Sequence, residues 1–271
     1  MQASRLVFGL VCLLSFGAAT AQTTSTATIG RISYQLVDLD LDDGITPSLT
    51  FVPGTTITAP SSFSIGFNNS GSWMSVLGAH EQAPITIADT QGTVSAQGIL
   101  TSTGSLASLE ITAVANAAGD GSFAYKRATV QGGSGRTNFQ LSPMTAVIFT
   151  AQSVLTGRTT QGGDWAVASA WIDLETYIDG EPVSTQNYKS LNSYYDLPFG
   201  SDVFTETQHD TLQVTYANTS LGITETAFGA GVYGNADSFL TPVPEPSVYA
   251  MLMAGLGLVA CVSRRRGRSA T

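Results

Sequence analysis

From 166 to 178 every second position is small or apolar: Ala166, Ala168, Ala170, Ile172, Leu174, Thr176 and Ile178. Only an extended chain puts residues i, i+2 and i+4 on one side, so the segment can bury this set as a strand and not as a helix. Asp179-Gly180 follows at once, the residue pair of a tight hairpin turn, and Val183 begins the predicted return strand. Leu212, Val214 and Tyr216 alternate in the same way with Thr211, Gln213 and Thr215. Further strands are predicted over 31–41, 48–52, 93–100, 106–115, 123–130 and 145–155, with Gly, Asn and Pro in the gaps. Few segments between the chain ends sustain a helical period with caps, and without a fixed-length repeat a β-helix is not expected. The expected body is all-β, a single antiparallel β-sandwich of about eight to twelve strands over 22–242.

Near residue 36 the apolar parity changes, with Ile32, Tyr34 and Leu36 on one side and Val37, Leu39 and Leu41 on the other. A bulge at Leu36 and Val37 would reconcile the two sets. Rows of regularly spaced threonines are not expected in the body. The segment Thr241-Pro242-Val243 lacks a strand pattern and is read as a link from the body to the C-terminal tail.

The two chain ends have a different character. Arg5 precedes an apolar stretch over 6–16, and Ala19-Thr20-Ala21 supplies an A-x-A cleavage pattern, so 1–21 is expected to be a signal peptide cut after Ala21. A lipoprotein would need a cysteine after a small residue at the end of that stretch, whereas Cys12 follows Val11 in its middle. At the other end, 243–271 reads Val243-Pro244-Glu245-Pro246-Ser247, then an apolar run over 248–262, then Arg264, Arg265, Arg266 and Arg268. As a helix that run is about 22 Å long, short of a hydrocarbon core of about 30 Å. Arginines that snorkel toward the headgroups extend its reach, and their charge holds that end in the cytoplasm, so the body is expected outside. Two prolines flanking Glu245 disfavour helix and keep the tripeptide extended and accessible.

The order Pro-Glu-Pro, apolar run with Gly255 and Gly257, and arginine cluster resembles the PEP-CTERM sorting tail of exported bacterial proteins. The resemblance covers 243–271 alone. It implies export machinery, a membrane-anchored precursor facing outside the cytoplasm, and processing by an exosortase. Such tails belong to species that make extracellular polysaccharide, which implies a cell-surface or extracellular destination.

Both cysteines, Cys12 and Cys261, lie in these terminal segments, so the body has neither a disulfide framework nor a cysteine nucleophile. Burial must stabilise it, and about 220 residues suffice for a core. Over 22–243 six Lys or Arg face nineteen Asp or Glu, a net −13, which argues against nucleic acid as a partner.

Three constellations in the body invite chemical readings. In Asp38-Leu39-Asp40-Leu41-Asp42-Asp43-Gly44 the spacing fails the EF-hand pattern, because the sixth position is Asp43 and the twelfth is Leu49. As a strand it would put Asp38, Asp40 and Asp42 on one solvated face about 7 Å apart. Asp40, Asp42 and Asp43 are the candidate ligands for a weak Ca²⁺ site, and no other cofactor is expected. Asp173, Glu175, Asp179 and Glu181 surround the turn, and the first two are spaced for a glycosidase-type pair. Trp165, Trp171 and Tyr177 share their strand face, as a sugar-stacking platform or as packed core. His80 and His209 stand apart, with neither H-x-x-x-H nor H-E-x-x-H spacing, and a G-x-S-x-G elbow is lacking.

The expectation is therefore an exported structural or adhesive surface protein, not an enzyme, associated with exopolysaccharide. A carbohydrate-binding module is the alternative, and it requires exposed Trp or Tyr on one sheet face. A secreted glycoside hydrolase is the third reading, requiring two convergent carboxylates.

Overall fold

The computed structural model describes residues 22–52, 61–69, 72–76, 80–81, 84–103, 105–119, 126–160, 164–178, 181–194, 204–238 and 253–255. In chain order the strands are β1 Gln22–Asp38, β2 Leu49–Phe51, β3 Ser61–Asn69, β4 Ser72–Val76 and β5 His80–Glu81. Next come β6 Ile85–Gln91, β7 Val94–Thr101, β8 Glu110–Ala118, β9 Lys126–Gly133 and β10 Thr137–Leu141. The last five are β11 Thr145–Thr159, β12 Trp165–Ile178, β13 Glu181–Tyr194, β14 Phe204–Asn218 and β15 Thr224–Ser238. All belong to one compact unit, Ala21–Asp120 with Ala124–Leu240. A second unit takes in both chain ends, and of it only the helical residues 253–255 are described. Among the described residues no helix is long and apolar enough to cross a membrane. The expected signal peptide and the 248–262 run lie outside the described residues, apart from 253–255.

Two antiparallel sheets form the body. The first runs β14-β11-β1-β8-β7-β6; the second runs β13-β12-β15-β9-β3-β4, with β10 on β15, β2 on β10 and β5 on β3. Their apolar faces meet. Phe149 of β11 stacks on Phe228 of β15 with ring centroids 4.6 Å apart, and Phe139 of β10 lies 5.3 Å from Phe149. Ser25 on β1 donates its hydroxyl to the Val167 carbonyl on β12. Runs of small inward residues also occur, as with Ala113, Ala115 and Ala117 on β8 and Ala166, Ala168 and Ala170 on β12. On one side the sheet edges are tied together, since Asn187 Nδ2 of β13 donates to the Gln213 carbonyl of β14 at 3.0 Å. Such a tie covers edges that would otherwise offer a template for pairing.

The all-β architecture matches the alternation read from the sequence, while several boundaries differ. β1 begins at Gln22, well before residue 31, because Thr23 and Ser25 take fully buried inward positions alongside Ala27 and Ile29. Hydroxyl side chains in inward slots hide a strand from an apolar pattern. The stretch expected to be strand from 106 opens as a 3-10 turn, Leu106–Ser108, and the return strand begins at Glu181 rather than Val183. The bulge is not at Leu36 and Val37. The register against β11 shifts between Gly30 and Ser33, where three steps on β1 oppose two on β11 and Arg31 adopts φ 53°. One extra residue brings Ile32 into the core with Leu36 packed against it and turns Tyr34, still exposed, toward Phe149 at 5.8 Å, while Val37, Leu39 and Leu41 are exposed on the other parity.

Threonine rows do exist, contrary to expectation. On the outward face of the first sheet Thr207, Thr156 and Thr26 are direct neighbours across β14, β11 and β1. The Thr156 and Thr207 hydroxyls lie 3.2 Å apart. On β1 the row continues as Thr24 and Thr28, and Thr28 meets Thr112 of β8 at 3.2 Å.

Phe63 of β3 fills the place where two glycines leave room. A Cβ on Gly132 would stand 2.0 Å from its Cδ1, and one on Gly98 of the other sheet 2.3 Å from the same atom. Each glycine costs the strand about 0.5–1 kcal/mol relative to alanine, while full burial of a phenylalanine contributes about 1.5–3 kcal/mol. Gly132→Ala should therefore cost about 1–3 kcal/mol by overpacking, read from denaturant melts. Combined with Phe63→Leu, the two losses should be far from additive; additive losses would mean that the ring is not lodged on Gly132.

Candidate functional site

Strand parity decides what β12 shows to solvent. With Ala166, Ala168, Ala170, Ile172 and Leu174 buried inward, the odd positions Trp165, Ser169, Trp171, Asp173 and Glu175 lie on the outward side, where neighbours still bury Ser169 and Asp173. Trp165 is 37% exposed. The hairpin register pairs Ile178 with Glu181, and this places Tyr188 of β13 opposite Trp171 and Gln186 opposite Asp173. Tyr188 is 53% exposed; its hydroxyl donates to Ser169 Oγ at 2.8 Å, and Ser169 donates on to Ser190 Oγ at 3.1 Å. On the far side, Gly231 of β15 is the neighbour of Trp171, and a Cβ there would come within 2.3 Å of Trp171 Cζ2. The indole thus lies across bare backbone. Tyr233 sits opposite Ser169, and burial pushes its phenol pKa up against the pull of Arg127.

Two guanidiniums flank this aromatic patch, and both are engaged. Arg127 on β9 grips Asp237 through Nε at 2.7 Å and Nη2 at 2.8 Å, with Asp237 fully buried. Arg136 lies in the short link where β9 ends and β10 begins. Ser134 holds that link to β15, its N–H donating to the Ala230 carbonyl at 2.9 Å and its Oγ accepting from the Ala230 N–H at 3.1 Å. From there Arg136 reaches Asp173 through Nη1 and Glu175 through Nη2, the latter at 3.0 Å. The bridge passes over Gly229, where a Cβ would lie 2.8 Å from Asp173 Oδ1 and 3.3 Å from Arg136 Nη1. Glycine at 229 is what lets the ion pair cross β15.

Asp173 is 8% exposed, and burial is the largest influence on it, lifting its carboxyl above the ordinary 3.8. The charge and hydrogen bond of Arg136 lower it, and the Glu175 charge raises it further. One raised carboxyl is a requirement for acid catalysis, but here both carboxylates share a strand face and a single cation. They converge on Arg136 from the same side; a glycosidase pair has to address opposite sides of a bond between them.

The other candidate residues are placed elsewhere. β1 ends at Asp38, so Asp40 and Asp42 are not on a strand face, and 38–45 is instead a run of carboxylate-capped turns. Asp38 Oδ1 accepts from the Asp40 N–H at 3.0 Å, Asp40 Oδ1 from the Asp42 N–H at 3.2 Å, and Asp43 Oδ1 from the Ile45 N–H at 2.6 Å. Gly44 takes φ 69°, closing the turn. Among the described residues no group of three His, Cys, Asp or Glu is gathered as a metal site. His209 is exposed on β14, opposite Val154. His80 and Glu181 are on strands but their side chains, with those of Trp73 and Tyr177, lie outside the described residues. So do Asp179, Ala19, Ala21, Pro244, Glu245, Pro246, Arg264, Arg265, Arg266 and Arg268.

Tyr188, Tyr233, Arg136, Gly229 and Gly231 are site residues that the linear reading passed over. A signal existed for the first. The Asp-Gly pair in the sequence signals a two-residue turn, and counting back from the Ile178 to Glu181 pairing brings Trp171 and Tyr188 face to face.

A carboxyl whose folded-state value lies above its unfolded value holds its proton more tightly when folded. Its contribution to stability is complete below the unfolded value and is lost as pH rises through the folded one. The stability of wild type relative to Asp173→Asn should therefore decline from about pH 4 upward, as read from urea melts across pH. A difference that grows with pH would mean that Arg136 outweighs burial at Asp173.

No curated protein matches the chain. Residues 242–268 match the family model of the PEP-CTERM protein-sorting motif, a span that includes Pro244, Glu245, Pro246 and the arginine cluster. The chain carries a PEP-CTERM protein-sorting motif, and with it the mark of an exported, surface-directed protein sorted by exosortase.

Proposed function

We propose that the body is a single β-sandwich displayed at the cell surface or in the extracellular matrix, where it holds polysaccharide through the outward face of β12, β13 and β15. The observation that carries this reading is the exposed Tyr188 opposite Trp171, whose indole lies over Gly231, with the exposed Trp165 farther along the same strand face. An aromatic ring offers a flat apolar surface with polar neighbours around it, the combination that an amphipathic sugar ring needs. This favours carbohydrate binding within the broader role of a structural or adhesive surface protein. Binding is preferred to hydrolysis because Asp173 and Glu175 are tied to one guanidinium. The weak Ca²⁺ site expected at Asp40, Asp42 and Asp43 is separate from this proposal; there Asp40 Oδ1 and Asp43 Oδ1 each accept a backbone N–H, and Asp43 Oδ2 has no hydrogen-bond partner.

The delivery route belongs to the same proposal. A signal peptide over 1–21 is removed by the export machinery, and the 243–271 tail holds a membrane-anchored precursor with the body outside. Glu245 is then accessible to the exosortase between Pro244 and Pro246.

Mass spectrometry of the mature termini should find Glu245→Ala exported but with its tail intact, whereas wild type loses the apolar run. Normal maturation of the variant would remove Glu245 from the recognition element. In the same cells Trp171→Ala should be processed normally yet shift from the matrix fraction to the medium. Unchanged partition of a processed variant would count against polysaccharide retention by this face.

A further inference from the structure

We infer that the ligand of this face is a neutral glycan chain laid along β12; the inference rests on the polysaccharide reading above and narrows it to one chemical class. Trp165 and Trp171 face out from the same strand six residues apart, so their centres are separated by about 20 Å. That is a track for an extended polymer.

Charge selects among polymers. A uronate or sulfated chain needs a free cation, and the two guanidiniums on this face are already occupied by Asp237 and by Asp173 with Glu175. The Arg136 cluster itself carries one more carboxylate than cation, and the body around it carries a net −13. Both repel a polyanion. A polycation fares no better locally, because the side chains of Asp173 and Glu175 are 11% and 24% exposed and would have to leave Arg136 to meet it. Around Trp171 the groups that remain outward are uncharged, namely the aromatic rings, the Tyr188 and Ser190 hydroxyls and the exposed Gln186 amide, while Glu225 at the start of β15 adds one more exposed carboxylate, held by the Asn138 amide. The uncharged groups suit ring C–H faces and hydroxyls. Arg136 acts here as a positioning residue, holding two carboxylate acceptors rigid beside the indole.

The test uses the full chain in detergent and affinity electrophoresis through gels containing hydroxyethylcellulose or dextran as neutral polymers, alginate as a polyanion, or chitosan as a polycation. Runs at roughly 20 mM and about 500 mM NaCl separate screened from unscreened attraction. Retardation by a neutral polymer is expected, changing less than about twofold with salt. Trp171→Ala should weaken it at least about tenfold, the loss of a central aromatic anchor. Trp165→Ala, on a more exposed side chain, should weaken it too if Trp171→Ala proves unstable, while Leu221→Lys on a distant exposed loop should leave it unchanged. Retardation only by alginate or chitosan, abolished by salt, would overturn the neutral assignment and leave polysaccharide binding standing. Neutral binding that survives both tryptophan variants would move the site off this face, and retardation by none of the four would remove the polysaccharide reading itself.

Discussion

Side chains that are missing organise this body. Along the centre of the second sheet, Gly132, Gly229 and Gly231 leave three gaps on two faces, and each gap is filled by a neighbour's large side chain. Inward, Phe63 lies over Gly132; outward, Trp171 lies over Gly231 and the Arg136 to Asp173 bridge crosses Gly229. A β-carbon at any of the three would occupy the space of atoms already there. The entropic cost of glycine in a strand is about 0.5–1 kcal/mol per position, comparable with or below what the ring burial inside returns. Outside the balance differs. An ion pair with Arg136 41% exposed contributes about 0–1 kcal/mol at most, so stability alone is a weak reason for glycine at 229.

The two outward faces are chemically unlike, although strands of the same kind build both. The first sheet shows hydroxyls in register, with Thr207, Thr156 and Thr26 side by side. The second shows aromatic rings between two internally neutralised arginines. Buried Asp237 explains part of that: a carboxylate with no solvent needs its partner, and removing Arg127 would strand a charge at a cost of about 3–5 kcal/mol. Arg136 meets a similar need, since Asp173 is 8% exposed and Arg136 is the cation beside it. It also fixes two acceptors beside an indole, an arrangement that suits the proposed binding surface.

How much of this was legible depended on which residues took the inward slots. β12 could be read to within a residue because its inward set is alanine, isoleucine and leucine. β1 was half hidden because Thr23 and Ser25 are buried, and its bulge was misplaced because parity alone cannot tell a shifted register from exposed leucines. The outward Trp165, Trp171, Asp173 and Glu175 were visible as a set, yet not their environment. Arg136 comes from another hairpin and the glycines from β15, so their meeting is a property of sheet order, which local pattern does not encode. The aspartates of 38–43 failed as a strand face for a local reason: carboxylates that can cap their own backbone two residues on compete with the ladder. The tail was the opposite case, since its order of motifs is carried by consecutive residues and needs no fold to be read.

On the proposed reading, the exported body meets its ligand at the aromatic face of the second sheet. A crystal structure of the protein grown with a neutral oligosaccharide tests it most directly. A sugar ring is expected to stack on Trp171 with hydroxyls within hydrogen-bonding distance of Tyr188 and the Asp173 and Glu175 carboxylates. Sugar seated on the threonine rows of the first sheet, with the face around Trp171 bare, would contradict it.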